Sequence, residues 1–123
     1  MAVATLKMLT LDSSDARRDA QFWSGVLGWD VAHLQDEYAM LSGPGGIALG
    51  LGTLADHEPP GWPNLHGSKQ FHLDLAVDDL DAAVMQCVAL GATFPDEQPG
   101  ETWRVLLDPS GHPFCLTLAA NWG

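Results

Sequence analysis

At 123 residues the chain has the length of one domain, and an apolar content of 46% is enough for a sizeable core. Sixteen acidic against five basic residues leave a formal charge of −11, a field that repels phosphate backbones and argues against nucleic acid as a partner. No uninterrupted apolar run approaches the roughly 18 residues that cross a bilayer, so no membrane partner is expected.

The N-terminus lacks the basic-then-apolar order of a secretory signal. Cys87 and Cys115 make no C-x-x-C pair, so a cytoplasmic location with two free thiols is expected.

Residues 3–29 and 71–92 repeat one pattern. The first copy opens on an alternating strand, Met8-Leu9-Thr10-Leu11, that ends at Asp12. A helix follows, with Ser13 or Ser14 as candidate N-cap and Asp15 in the first turn, where the helix dipole favours it. Ala16, Ala20, Trp23 and Leu27 form its apolar stripe, widened by Phe22 and Val26. Leu27-Gly28 ends it, with glycine suited to a left-handed cap. Three short strands then fall near 29–34, 37–42 and 46–52, the last two joined by Ser42-Gly43-Pro44-Gly45-Gly46. That glycine-rich stretch reads as a hairpin turn, because it lacks the strand-to-helix context of a phosphate loop.

Residues 53–69, rich in Pro and Gly, read as a linker and a candidate lid. The second copy begins with Asp74-Leu75-Ala76-Val77 and ends its strand at Asp78. Asp79 is the candidate N-cap, and Leu80, Val84, Cys87 and Leu90 form the helix stripe before Leu90-Gly91. A weak strand near 92–95 and stronger ones at 102–107 and 113–119 complete it. The last two are joined by the turn Asp108-Pro109-Ser110-Gly111. The expected architecture is therefore α+β, two tandem βαβββ modules over 1–52 and 70–123.

Alternation sorts the side chains. Phe71, Leu73, Leu75 and Val77 form the apolar face of the fifth strand, which leaves His72, Asp74 and Ala76 on the other. The same reading puts Met8, Thr10, Leu49, Leu51, Cys115 and Thr117 on the cleft side, while Trp103, Arg104 and Tyr38 lie on neighbouring strands with their facing open. Apolar walls around a few polar groups are the composition of a small-molecule pocket. His72 beside Asp74 is either a structural hydrogen bond or a histidine oriented by a carboxylate for general-base or anchoring work. Cys115 is expected to be an inert buried thiol. His33, His57, His66 and His112 occupy edge, linker or turn contexts and are expected to be solvated.

The segment FWSGVLGW (22–29), together with the pairing of FHLDLAVDD (71–79) and LLDPSGHPFCL (106–116), resembles the glyoxalase/bleomycin-resistance/dioxygenase (vicinal oxygen chelate) superfamily. The Asp108-Pro109-Ser110-Gly111 to Leu116 stretch is similar to the glyoxalase-like domains common in actinobacteria. The resemblance implies a curved mixed sheet from each half, helices on the convex side and a ligand cleft on the concave side. It also implies a divalent metal held by His or Glu from the first and last strands of each half. Of those positions only His72 matches. The others fall on Leu6 (or Met8), Leu49 and Cys115, so no family-type metal site and no cofactor are expected. The functions left open are binding of a small apolar or aromatic molecule, metal-independent acid–base catalysis of the isomerase, cyclase or lyase type by His72 and Asp74, a metal-dependent lyase or dioxygenase, and a non-catalytic dimerisation module. A homodimer is the expected assembly.

Overall fold

The computed structural model describes residues 1–122 and contains two compact units, Met1–His57 and the chain from Glu58 onward. In the first, β1 (Met8–Ser13) leads into α1 (Ala16–Leu27), then β2 (Asp30–Leu34), β3 (Tyr38–Ser42) and β4 (Ala48–Thr53). The sheet order is β1-β4-β3-β2, with β1 and β4 parallel and the other pairs antiparallel. The α+β class and the order of the first module are as the sequence implies, with strand ends within two residues.

The cap of α1 falls one residue after Ser14 and two after Ser13, the serine candidates. Asp15 is the N-cap, its carboxylate accepting from the Arg18 N–H. Ser13 is instead buried and donates to Asp19 Oδ2 at 2.5 Å, while its own oxygen accepts from the Asp15 N–H. This buried Asp19 sits among the apolar residues of α1, where it also meets Arg18 Nε at 3.0 Å, so its charge is paired rather than isolated. Gly28 closes the helix at φ 71, in the left-handed region.

Register fixes which residues of this sheet share a face. Thr10 lies opposite Gly50 and Met40, whereas Leu9 lies opposite Leu49 and Leu41. Ala39, Leu41, Leu49 and Leu51 are all buried, and α1 packs on β3 and β4. Leu49 and Leu51 therefore belong to the helix side. The expectation that they share a face with Met8 and Thr10 is corrected: Gly50 holds that position, and a Cβ there would meet Thr10 Oγ1 at 2.9 Å.

The second unit holds β5 (Leu73–Val77), α2 (Leu80–Leu90), β6 (Trp103–Leu107) and β7 (Pro113–Leu118), with sheet order β5-β7-β6. Asp79 caps α2 as the sequence implies, accepting from the Ala82 N–H. Phe71 precedes the strand and is exposed, and so is Leu90, so neither joins the apolar face expected of it. The weak strand at 92–95 is reduced to one antiparallel bridge, Thr93 to Leu107. Gln98 takes over the rest of that edge. Its amide donates to Val105 O at 2.9 Å and accepts from Val105 N at 2.8 Å, so one side chain satisfies the backbone groups a strand would have paired. The β6–β7 turn is held by buried Asp108, whose carboxylate accepts from the Ser110 and His112 N–H groups.

Candidate functional site

The parallel pairing of β5 with β7 sets Asp74 opposite Cys115, and the antiparallel pairing of β7 with β6 sets Cys115 opposite Val105. Residues opposite one another project to the same side of a sheet, so these three form one row and Ala76, Thr117 and Trp103 the next. Phe114, Leu116 and Leu106 point the other way, are buried, and lie in the strands on which α2 packs. His72 stands one residue before β5. There Gln70, at φ 57, turns the chain through the left-handed region, and its carbonyl oxygen lies 3.5 Å from His72 Nδ1.

That turn brings His72 Nε2 to 3.3 Å from Asp74 Oδ1. One donor atom each from His72, Asp74 and Cys115 lie within 4.8 Å of one another. The two polar side chains are partly open, 28% and 43% exposed, whereas the thiol is buried beneath them. Burial first, and then the Asp74 charge and its hydrogen bond, push the Cys115 thiol up to about 11; Lys69 pulls in the opposite direction. At neutral pH the thiol is therefore protonated, which removes it from consideration as a free nucleophile.

The walls of this face come in part from the stretch read as a linker. Trp62 is 5% exposed and packs in one apolar cluster with Val105 and Cys115, joined at its margin by Trp103 and Leu107. Its indole N–H is buried and has no hydrogen-bond partner among the described residues. Lys69 stands 6.0 Å from the Trp62 ring centroid, within cation–π range. Asn64 ties the segment into a closed loop, donating to Ser68 O at 2.6 Å and accepting from the His66 and Ser68 N–H groups. Gly100 lies flush against the Trp103 indole, leaving no room for a Cβ. Trp62 and Lys69 were hidden in the sequence because the segment that carries them has no periodicity. Its only signal was a tryptophan inside a Pro/Gly-rich run.

The structure thus gathers His72, Asp74, Cys115, Thr117 and Trp103 on one face of one sheet. Arg104 does not join them. It lies opposite Leu116 on the other face, and its guanidinium donates to the carbonyl oxygens of Gly100, Glu101 and Trp103. Met8 and Thr10 share a face of the first unit with Gly50 and Met40. Both cysteines are free and buried, Cys87 on α2. A hollow of about 640 Å³ lies along α2, lined by Asp81, Val84, Met85, Val88, Ala89 and Phe94, and of these only Asp81 brings a charged group to it.

The metal implied by the resemblance can be tested against these donors. Of the ligand positions to which the resemblance points, Leu6, Met8 and Leu49 carry no side-chain nitrogen or oxygen, and Cys115 offers sulfur in place of imidazole or carboxylate. Only His72 among those positions keeps a ligand of the implied His or Glu type. The second unit brings together donor atoms of His72, Asp74 and Cys115, the three residues that the sequence reading set on the cleft side.

Among solved structures the chain is similar to a glyoxalase/bleomycin resistance protein/dioxygenase family enzyme from Burkholderia phytofirmans, with TM-score 0.71, 22% identity and coverage of 94% of this chain and 99% of that one. It is also similar to a glyoxalase-related enzyme from Fulvimarina pelagi (TM-score 0.68, 19% identity, coverage 94% and 88%) and to a lactoylglutathione lyase from Agrobacterium tumefaciens (TM-score 0.62, 18% identity, coverage 100% and 98%). At these identities the likeness is one of fold. No curated protein matches the chain. Among the described residues no helix is long and apolar enough to cross a membrane. Residues 8–117 match the glyoxalase-like domain model, and the chain belongs to that family, with the glyoxalase/bleomycin-resistance fold.

Proposed function

We propose that the chain binds a small, largely apolar or aromatic organic molecule on the free face of the β5-β7-β6 sheet, without the family's two-module metal site. The observation that carries this reading is one polar cluster, His72 with Asp74 over Cys115, set against an apolar wall of Trp62, Val105 and Trp103. Apolar walls supply affinity, and the imidazole, the carboxylate and Thr117 orient the ligand's polar end. The test is a thermal-shift screen of aromatic and alicyclic acids, ketones and phenols. A ligand at about 100 times its Kd should stabilise the fold by about 2.7 kcal/mol. Hits whose shift is lost in His72→Ala or Trp103→Ala support the reading. Hits unaffected by both variants would remove it.

A second reading is favoured by the 3.3 Å contact between His72 Nε2 and Asp74 Oδ1. A carboxylate that orients an imidazole is the arrangement of a general base, able to take a proton from an acidic carbon and return it elsewhere in an isomerisation, cyclisation or elimination. Loss of turnover with retained binding in Asp74→Ala would favour this enzyme. Weakened binding with no turnover in either protein would favour the sequestering role.

A further inference from the structure

The three donors of the second unit have a chemistry that the small-molecule reading does not use. Two ligands about 2.1 Å from a tetrahedral ion lie about 3.4 Å apart. The His72 Nε2 to Asp74 Oδ1 separation is 3.3 Å, and the Cys115 thiol lies within 4.8 Å of both. An independent observation concerns the other side of the imidazole. A metal-bound histidine normally donates its remaining ring N–H to a carbonyl or carboxylate, which fixes the ring and its tautomer. His72 Nδ1 faces the Gln70 carbonyl at 3.5 Å, and Gln70 adopts a left-handed φ of 57, unusual for a side-chain-bearing residue, in the turn that places it there.

We infer that His72, Asp74 and Cys115 form a divalent-cation site of zinc type, complete within the second module and open at its fourth position toward the free face of the sheet. One imidazole, one carboxylate and one thiol select a borderline-soft tetrahedral ion such as Zn²⁺ or Co²⁺ over Mg²⁺ or Mn²⁺, which demand oxygen shells. Binding replaces the thiol proton with the metal, and the proton leaves to solvent. The chain's formal charge of −11 draws cations to its surface in general, but among the described residues only this cluster offers sulfur and nitrogen together with oxygen.

The experiment uses the full chain stripped with chelator and reduced. Zn²⁺ and Mg²⁺ are titrated by calorimetry, and Co²⁺ by absorbance, where a cobalt-bound thiolate shows a charge-transfer band in the near ultraviolet. Expected are one Zn²⁺ per chain, no measurable Mg²⁺ binding, and a thiolate band on Co²⁺. Cys115→Ser should erase the band, and His72→Ala should weaken Zn²⁺ by roughly 100-fold or more, the upper range for losing even an outer partner of a metal ligand. Cys87→Ser serves as the matched control and should leave every signal in place, and circular dichroism confirms that each variant is folded. No Zn²⁺ binding, a Co²⁺ complex without the thiolate band, or a band that follows Cys87 would each overturn the inference. The small-molecule reading stands or falls separately, on hits obtained with the metal-free protein.

Discussion

Trp62→Ala should be among the most destabilising substitutions in the chain, although residue 62 lies in a stretch with no regular secondary structure. The indole is 5% exposed and packs on Val105 and Cys115, both buried. Truncating a buried tryptophan to alanine costs about 3–5 kcal/mol through lost transfer energy and the cavity left behind. For a chain of this length that corresponds to a fall in Tm of roughly 10–20 °C. Trp62→Phe separates packing from hydrogen bonding. It gives up part of the ring area, but it also removes a buried indole N–H with no partner among the described residues, a group whose burial costs about 1–3 kcal/mol. The two effects oppose, so the phenylalanine variant should lose far less than the alanine variant. Trp122→Ala, at 59% exposure, is the control and should change stability by at most about 0.5 kcal/mol. Differential scanning calorimetry measures all three. A Trp62→Ala protein melting with the parent would refute the claim that residues 58–69 form part of the second unit's core.

Gln98→Ala should cost about 1–3 kcal/mol in urea denaturation, because it strips both backbone partners from Val105 at the edge of β6; a neutral result would mean that water replaces the amide. Gly100→Ala should push the Trp103 indole from its seat, seen as a changed tryptophan emission and weaker ligand binding with the fold retained, and unaltered spectra would contradict this packing. Burial pushes the Cys87 thiol up, so the unfolded chain releases that proton at lower pH than the folded one. The stability it contributes is whole below the ordinary thiol range and declines as pH rises through it, and Cys87→Ala should flatten the alkaline limb of a Tm-against-pH curve.

Much of the fold was legible because its signals are local. The alternation of Met8-Leu9-Thr10-Leu11, the Asp79 cap and the glycines at 28 and 91 each answer to a short-range preference. The face of Leu49 and Leu51 was not legible. Alternation separates the two faces of a strand without saying which of them meets the helix, and a shift of one residue in register exchanges them. The missing strand at 92–95 was equally hidden, since its replacement is a side chain, Gln98, whose capacity to pair with Val105 depends on tertiary placement. At the site, His72 and Asp74 could be read from alternation, and Cys115 from its strand. That the thiol lies under the pair follows only from the β5–β7 register, and Trp62 only from the path of an aperiodic loop.

Ligands are proposed to meet this chain on the face of the β5-β7-β6 sheet that carries His72, Asp74 and Cys115. The most direct test is a ¹⁵N–¹H chemical-shift titration of the uniformly labelled, metal-free protein with the hits of the thermal-shift screen. Saturable shifts are expected at His72, Asp74, Cys115, Thr117 and the Trp103 indole, diminished in His72→Ala. Shifts confined to the α2 hollow, at Val84, Met85, Val88 and Phe94, would contradict that placement.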